Sequence, residues 1–256
     1  MPRLARALFP GIPHHVTQRG NHRELVFFSP GDQETYLRLL RENVLRYSVE
    51  VVAYCLMPNH VHLVVIPSTA GALHRVLKAV HGHYAQRINR MRTLKGHLWQ
   101  GRYFSSPLDP NYFRNAVRYV ERNPVSAGLV HRAEEYAWSS AAAHCGKRVD
   151  MIVDTKPKAI ALAGIADWAG WLAEGMPSEV ARLLSDNCRQ NLPCGSDAFL
   201  EELERSIGRT LRHKRPGRKS DNDSARNEPA QLHLPEFGER PLLELGTSPK
   251  SGNVPS

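Results

Sequence analysis

Two histidines separated by one residue, His60 and His62, stand in the apolar run from Met57 to Val65. Side chains alternate between the two faces of a strand, so this spacing places both imidazoles on the same face. An unpaired buried ring nitrogen is costly, and imidazole is a common metal ligand. The pair therefore predicts half of a metal site, although two hydrogen-bonded surface histidines would give the same pattern.

A tyrosine and an asparagine one helical turn apart offer further chemistry. The helix predicted from Pro110 to Arg122 has an apolar stripe that excludes Tyr119. Arg118 and Arg122 flank this tyrosine, and a phenol near guanidinium groups and a metal is pushed towards the phenolate that a nucleophile requires. Asn123 follows one turn later on the same face, where its amide oxygen can meet a cation held by the imidazoles.

Two imidazole nitrogens and one amide oxygen leave coordination positions open for substrate oxygens, and oxygen ligation suits Mg²⁺ or Mn²⁺. Asn123 also has a second interpretation. It precedes Pro124, and because proline restricts the residue before it, Asn123 could simply end the helix. His14 and His15 in the first strand either orient the site or serve the fold, and the sequence favours the fold.

The 256-residue chain has a formal net charge of +9, and its cations are clustered. Residues 1–150 carry 20 Lys and Arg against 10 Asp and Glu, and residues 205–220 carry seven against none. Such clusters are the expected footprint of a polyanionic partner, although net charge also serves solubility. The candidate DNA-binding residues are Arg19, Arg87, Arg90, Arg118, Arg122, Arg212, Lys214, Arg215, Arg218 and Lys219.

The four cysteines are spread along the chain without a Cys-x-x-Cys pair, as is typical of reduced thiols. The N-terminus has no apolar stretch of signal-peptide length, and no run approaches the length of a membrane span. We therefore expect a soluble, cytoplasmic protein without a membrane partner.

The elements that position these residues follow one another in the order βαββαβ. Strands are predicted over 12–19, 49–57, 60–66 and about 102–107, with helices over 29–47, 73–88 and 110–122. This order is that of the ferredoxin-like unit, an α+β fold with an antiparallel sheet. Beyond Trp138, helical segments are predicted over 139–145, 159–173, 178–188 and 197–211. The polar composition of residues 221–256 predicts a disordered tail.

Several spaced motifs resemble one family in their order. They are Met57-Pro-Asn-His-Val-His-Leu-Val-Val65, Trp99-Gln-Gly-Arg-Tyr-Phe104, Arg118-Tyr-Val-Glu-Arg-Asn-Pro-Val-Ser-Ala-Gly-Leu-Val130 and Trp138-Ser-Ser140. From about residue 9 to residue 145 the chain is similar to the REP-associated tyrosine transposases, domesticated relatives of the single-tyrosine transposases among the HUH single-strand endonucleases. The resemblance implies that His60 and His62 bind the metal, that Asn123 is the third ligand and that Tyr119 is the nucleophile.

The same resemblance implies a metal-dependent endonuclease and strand transferase. It would cut single-stranded DNA near hairpins of repetitive extragenic palindromes through a 5′-phosphotyrosine intermediate, as a monomer or a homodimer. The implied organisation is a catalytic domain over 1–130, a helical extension over 131–211, a basic DNA-binding tail over 212–220 and a disordered segment over 221–256. The family's C-terminal motifs are altered here, where the chain has Leu192-Pro-Cys-Gly-Ser and Arg215-Pro-Gly-Arg-Lys219.

Two other classes stay open on the residues alone. A βαββαβ sheet with basic helices also describes non-catalytic nucleic-acid-binding modules, in which sheet aromatics stack on bases, but this chain shows no clear aromatic pair there. A metal-dependent phosphodiesterase that activates water would need the histidines and a carboxylate base but not Tyr119. The tyrosine therefore separates the three classes.

Overall fold

The computed structural model describes residues 6–93, 95–153 and 162–212. Four strands, β1 (His14–Arg19), β2 (Val49–Met57), β3 (His60–Pro67) and β4 (Phe104–Pro107), form an antiparallel sheet in the order β2-β3-β1-β4. Helices α1 (Pro30–Tyr47) and α2 (Ala72–Arg92) pack on one face, and α3 (Pro110–Ser126) packs on the other. The predicted ferredoxin-like α+β fold is confirmed.

The alternation along β3 decides which side chains reach which face. Val61, Leu63 and Val65 are buried in the core beneath α1 and α2. Val64 belongs to the second core beneath α3, and His62 has the same parity, so the histidine pair faces α3. The strand that carries the histidines is therefore held by apolar packing on both of its faces.

Helix α3 continues past its predicted end, so the expectation that it stops at Asn123 is wrong. Pro124 lies inside the helix, which runs to Ser126. Ala127 N donates to Asn123 O at 3.0 Å and Leu129 N donates to Pro124 O at 2.9 Å, so the last turn keeps its hydrogen bonds. Pro124 has no N–H, so the backbone bond to Val120 O is absent at this one position while the bonds on either side of it keep the helix continuous. Asn123 therefore keeps helical geometry and shares a face with Tyr119.

The described part of the chain continues with the helices α4 (Ala141–His144), α5 (Trp168–Ala173), α6 (Ser178–Gln190) and α7 (Asp197–Ile207). Ser196 caps α7 as its side chain accepts from Phe199 N at 3.3 Å. Helix α7 ends at Ile207 rather than at the predicted Leu211, because Gly208 adopts a left-handed conformation with φ of 65°. Of the helix predicted over 159–173, residues 159–161 lie outside the described residues. The prediction is wrong for residues 162–167, because the Asp167 side chain accepts from Gly170 N at 2.9 Å and α5 begins only at Trp168.

The segment around α6 is fastened to the sheet along the edge strand β4. Ser105 N donates to Asn191 Oδ1 at 3.0 Å, and Ser106 Oγ donates to Leu192 O at 2.6 Å. Cys188 Sγ, inside α6, donates to His15 O at 3.5 Å. These bonds cover the edge of β4 and hold α6 over the face of the sheet that carries the histidines.

The chain divides into one unit over residues 1–213 and a second over 214–256. The second unit lies outside the described residues, and with it the predicted disordered segment and the predicted tail residues Lys214, Arg215, Arg218 and Lys219. Among the helices of the described part, none has both the length and the apolar character needed to cross a membrane. All four cysteines are free.

Candidate active site

The structure brings the predicted histidines, tyrosine and asparagine together between β3 and α3. The ring centroids of His60 and His62 are 4.8 Å apart, and those of His62 and Tyr119 are 5.6 Å apart. They line a pocket of about 450 Å³ whose full lining is His15, Thr17, Arg19, Arg23, His60, His62, Gln100, Phe104, Tyr119, Asn123, Ser185 and Arg189. No Asp or Glu lines this pocket within the described ranges.

The turn between β2 and β3 fixes the tautomer of His60. Asn59 Nδ2 donates to Arg23 O at 3.0 Å, so its Oδ1 faces His60 Nδ1 at 2.6 Å and accepts from it. Gly20 lets this turn approach β1, since its N–H donates to Asn59 O at 2.8 Å and a Cβ there would lie 2.3 Å from Glu24 O. The Nε2 lone pair of His60 is thereby left available for a cation.

His62 is oriented by a third histidine that the sequence assigned to the fold. His15 Nε2 lies 3.0 Å from His62 Nδ1, and the two rings stack at 5.3 Å. The other nitrogen of His62, Nε2, lies 3.4 Å from the Asn123 amide. Burial lowers the pKa of His62 well below its usual value, and burial also lowers that of His60 to about 4. Both rings are therefore neutral at neutral pH, which is the form that ligates metals. His14, by contrast, is bonded to Phe9 N and Ile12 O and serves the fold.

This donor set fits a divalent cation only when the asparagine is included. Within residues 6–93, 95–153 and 162–212, no group of three or more His, Cys, Asp and Glu side chains is arranged to hold a metal. The Asn123 amide supplies the third group, since it contacts His62 and also supports the protonated form of His60 by a hydrogen bond. Two nitrogens and one amide oxygen leave room for the oxygens that Mg²⁺ and Mn²⁺ prefer.

Burial opposes the phenolate form of Tyr119, which the sequence analysis expected arginines and a metal to favour. Burial raises its pKa above the usual value of 10. A hydrogen bond with Ser185 and the positive charges of Arg189 and Arg19 oppose this rise but do not overcome it. The resting side chain is therefore a neutral phenol at neutral pH.

The two arginines expected to flank the phenol are directed elsewhere. Arg118 donates to Gly175 O and to Glu174 Oε2, each at 2.9 Å, and lies 4.4 Å over the Trp171 ring. Arg122 donates to Leu172 O. Through these bonds both guanidinium groups fasten α3 to the segment around α5. As DNA contacts they stay predictions that would require these bonds to break.

The remaining basic candidates occupy different surfaces. Arg19 lines the pocket beside His60, its partner in the sheet. Arg87 and Arg90 are exposed on α2, across the sheet from the pocket. Arg212 lies 2.7 Å from Asp197, 3.7 Å from Glu201 and 3.6 Å from Glu204, so carboxylates of α7 already surround it. Arg19 alone among these candidates enters the pocket.

Sequence reasoning missed the two pocket residues of α6, Ser185 and Arg189. They are four residues apart and therefore share one helix face, which neighbours the apolar positions Leu184 and Cys188. That spacing was a usable signal that α6 presents a hydroxyl and a cation together. Where α6 docks, however, depends on bonds to β4 that no local pattern reveals.

A buried carboxylate, that of Glu121, anchors α3 to the elements packed around it. Glu121, two residues after Tyr119, is 0 % exposed. It accepts from Ser140 Oγ, from His144 Nδ1 at 2.6 Å and from Trp168 Nε1 at 2.7 Å. Ser140 also accepts from Tyr54 N at 3.0 Å, so the network joins α3 to β2 as well as to α4 and α5. We infer that Glu121 positions α3.

Replacing Glu121 with alanine should lower the free energy of unfolding by about 3–5 kcal/mol, because three buried donors would lose their partner. Urea denaturation of the variant and the parent protein measures this as a lower midpoint at an unchanged slope. Glu42→Ala, which removes the exposed Arg38–Glu42 pair, is the matched control, with an expected change within about 0.5 kcal/mol. Equal stability of the Glu121→Ala variant and the parent would contradict the anchoring role.

The antiparallel βαββαβ sheet presents a histidine pair on its central strand β3, and this pair faces a tyrosine on the covering helix α3. Together the fold and the site define a class of protein. It is the arrangement expected of a transposase-like, DNA-processing protein. The IS200-like transposase family matches residues 10–123, from the segment before β1 to Asn123. The resemblance noted in the sequence motifs is thereby confirmed for this part of the chain.

Solved structures similar to this chain include the two that follow. One is a REP-associated tyrosine transposase bound to a REP hairpin, with 17% identity and a TM-score of 0.46 over 60% of this chain and 93% of that chain. The other is assigned as a transposase of Deinococcus radiodurans R1, with 20% identity and a TM-score of 0.34 over 47% of this chain and 97% of that chain. No curated protein matches the chain.

Proposed function

We propose that this protein is a metal-dependent endonuclease and strand transferase that cuts single-stranded DNA through a covalent bond to Tyr119. The observation that carries the proposal is the 5.6 Å separation of the Tyr119 and His62 rings in one pocket. At that distance a phosphate held over the imidazole pair lies within reach of the phenol oxygen. The sequence motifs favour a substrate of hairpin DNA with a single-stranded flank, of the repetitive extragenic palindrome type.

Tyr119 is the proposed nucleophile. Its phenol oxygen forms a bond to phosphorus, and the bond from phosphorus to the 3′ oxygen of the preceding nucleotide breaks. The phenol loses its proton to solvent and the departing 3′ oxygen gains one, so the products are a 5′-phosphotyrosine and a free 3′-hydroxyl. Ser185 orients the phenol, while Arg19 and Arg189 favour its ionisation and the negative charge on the phosphate. Attack by a second 3′-hydroxyl reverses these bond changes and joins strands.

His60, His62 and Asn123 are the proposed ligands of Mg²⁺ or Mn²⁺. When bound, such an ion supplies polarisation of a non-bridging phosphate oxygen. The protein's own contribution is to hold the ligands in place: Asn59 orients His60, and His15 orients His62. We assign the catalytic domain to residues 1–130. Because Ser185 and Arg189 enter the pocket, the helical extension over 131–211 works as part of the same unit.

Two features favour this function over the alternatives. A water-activating phosphodiesterase needs a carboxylate base, and among the described residues no Asp or Glu lines the pocket. A sheet that binds bases presents aromatic residues on an open face. Here α1 and α2 cover one face, and on the other face the central strand β3 presents His60 and His62 rather than Phe, Tyr or Trp. A covalent tyrosine mechanism uses the residues that the pocket does contain.

The direct test is to trap the covalent adduct. Full-length protein is incubated with Mn²⁺ and hairpin DNA that carries single-stranded flanks, labelled at the 5′ end or at the 3′ end, and is run on a denaturing gel. We expect the 3′ label to migrate with the protein and the 5′ label to appear on a fragment that a polymerase can extend from its 3′-hydroxyl. EDTA should abolish both products.

The position of the label decides between mechanisms. A 5′ label on the protein would indicate a 3′-phosphotyrosine and would contradict the proposed polarity. Cleavage without any adduct would indicate attack by water. If flanked hairpins of several sequences gave neither cleavage nor an adduct, only the interpretation as a non-catalytic binding protein would remain.

A further inference from the structure

A second groove adjoins the active-site pocket. It encloses about 350 Å³ and shares two residues, Phe104 and Arg189, with the pocket around Tyr119. Its other lining residues are Arg6, Arg102, Tyr103, Gln190, Asn191, Leu192, Arg209, Thr210 and Leu211. They come from the N-terminal segment, the start of β4, the end of α6 and the segment after α7. Of all the residues that line this groove, the proposed catalytic mechanism uses only Arg189.

The register of the sheet explains why Phe104 lies between the two spaces. Thr17 pairs with His62 on one side and with Phe104 on the other, so the three side chains form a row on the face that α3 covers. Adjacent strands are about 4.8 Å apart, which puts Phe104 about 10 Å from His62 along this row. Its ring is partly exposed at the edge of the sheet. An aromatic surface is thus presented beside the active site.

The groove is lined by four arginines, and no Asp or Glu of the described ranges lines it. Arg6 is held in place because its Nε donates to Tyr103 O at 2.8 Å and its guanidinium lies 3.8 Å over the Tyr103 ring. Burial lowers the pKa of Arg6, and the charge of Arg102 contributes to that lowering. Arg189 lies 3.7 Å from Asp186, a carboxylate outside the linings of both spaces. A concentration of like charge of this kind is stabilised by an anion.

We propose that this groove binds the single-stranded DNA segment adjoining the cleaved phosphodiester, with a base stacked on Phe104 and backbone phosphates held by Arg189, Arg102 and Arg6. Aromatic faces stack on any base and guanidinium groups neutralise the backbone, which is how proteins hold single strands. Because Arg189 lines both spaces, one strand can pass from the pocket into the groove. The identity of the strand rests on the proposed function, whereas its binding can be measured without cleavage.

The test compares hairpins with and without a single-stranded flank, on either the 5′ or the 3′ side. Binding to wild-type protein is followed by fluorescence anisotropy in EDTA, and a flank on one side should increase the affinity. Phe104→Leu should reduce that gain roughly 5- to 150-fold, the effect expected for losing one stacked base. Arg6→Gln with Arg102→Gln should reduce the salt dependence of log K by about 1.4, because each neutralised phosphate of a single strand contributes about 0.7 to that slope.

The matched control is Arg41→Gln with Arg46→Gln, which removes the same charge from exposed positions of α1 on the far face of the sheet. It should bind flanked DNA like the wild-type protein, and the unflanked hairpin should bind equally to all variants. Equal loss of affinity in the control and the groove variants would overturn the proposal, since charge alone would then explain it. The proposal would also be overturned if the wild-type protein bound flanked and unflanked hairpins with equal affinity.

Adduct formation with Mn²⁺, scored on the same samples, separates this inference from the proposed function. If adducts form but the groove variants bind flanked DNA like the wild-type protein, the proposed role of the groove is overturned and the proposed nuclease function remains. Flank binding that depends on Phe104 and Arg102 without any adduct would support the groove and overturn the nuclease.

Discussion

Tyr119→Phe should abolish cleavage and the covalent adduct while leaving DNA binding within about twofold of the parent. The substitution removes only the attacking oxygen, and loss of a nucleophile typically lowers the rate by roughly 10⁴- to 10⁶-fold. The ring of phenylalanine can keep the edge-on contacts that Tyr119 makes with His15 and His62, both at 5.6 Å. Single-turnover cleavage of flanked hairpin DNA, with anisotropy for binding, measures the two effects separately.

Tyr112→Phe provides the matched control for this substitution. Tyr112 lies seven residues earlier on α3, two turns away on the same side of the helix, and does not line the pocket. The Tyr112→Phe variant should therefore cleave flanked hairpin DNA at the rate of the parent protein. If Tyr119→Phe kept a substantial rate, the nucleophile would be another group, and a metal-activated water would become the leading candidate.

The sequence predicted which residues meet because each prediction rested on a local period. A spacing of two puts His60 and His62 on one face of a strand, and a spacing of four puts Tyr119 and Asn123 on one face of a helix. The sequence analysis then expected the amide oxygen of Asn123 to meet a cation held by the two imidazoles, which brings this face of α3 to the histidines. Those steps need no knowledge of side-chain contacts, and the structure agrees with each of them.

What could not be predicted depends on contacts between distant segments. The raised pKa of Tyr119 follows from burial beneath α6, which no helical wheel contains. Arg118 and Arg122 neighbour the tyrosine in sequence, yet their partners lie 50 or more residues further on, at Leu172, Glu174 and Gly175. His15 was assigned to the fold because nothing local reveals that β1 pairs with β3 and brings its ring to His62.

Removing either histidine of the pair should remove the metal and, with it, the activity. We expect His60→Ala and His62→Ala each to lower Mn²⁺-dependent cleavage by about 10³-fold or more, the size of the several kcal/mol that a metal contributes to stabilising transition-state charge. Isothermal titration of Mn²⁺ into the DNA-free protein provides a measurement that is independent of activity. His83→Ala, at an exposed position of α2, controls for the loss of an imidazole and should bind Mn²⁺ like the parent.

Asn123 allows the same assignment to be tested by exchanging its donor atom. The structure excludes a role as the end of α3, since Ala127 N bonds to its backbone carbonyl inside a continuing helix. If the side chain is a ligand, Asn123→Ala should weaken Mn²⁺ binding roughly 10- to 100-fold. Asn123→Asp should preserve or tighten it, because a carboxylate oxygen replaces the amide oxygen in the same place and adds a negative charge.

A structural role for Asn123 predicts a different pattern in that titration. Both variants would then bind Mn²⁺ as the parent does and would differ from it only in stability to urea. Cleavage adds a further distinction, because the carboxylate of Asn123→Asp also lies next to Tyr119 and repels the phosphate that must approach it. Tight Mn²⁺ binding with impaired cleavage in this variant, and weak binding in Asn123→Ala, would together place the side chain in contact with both the metal and the reacting phosphate.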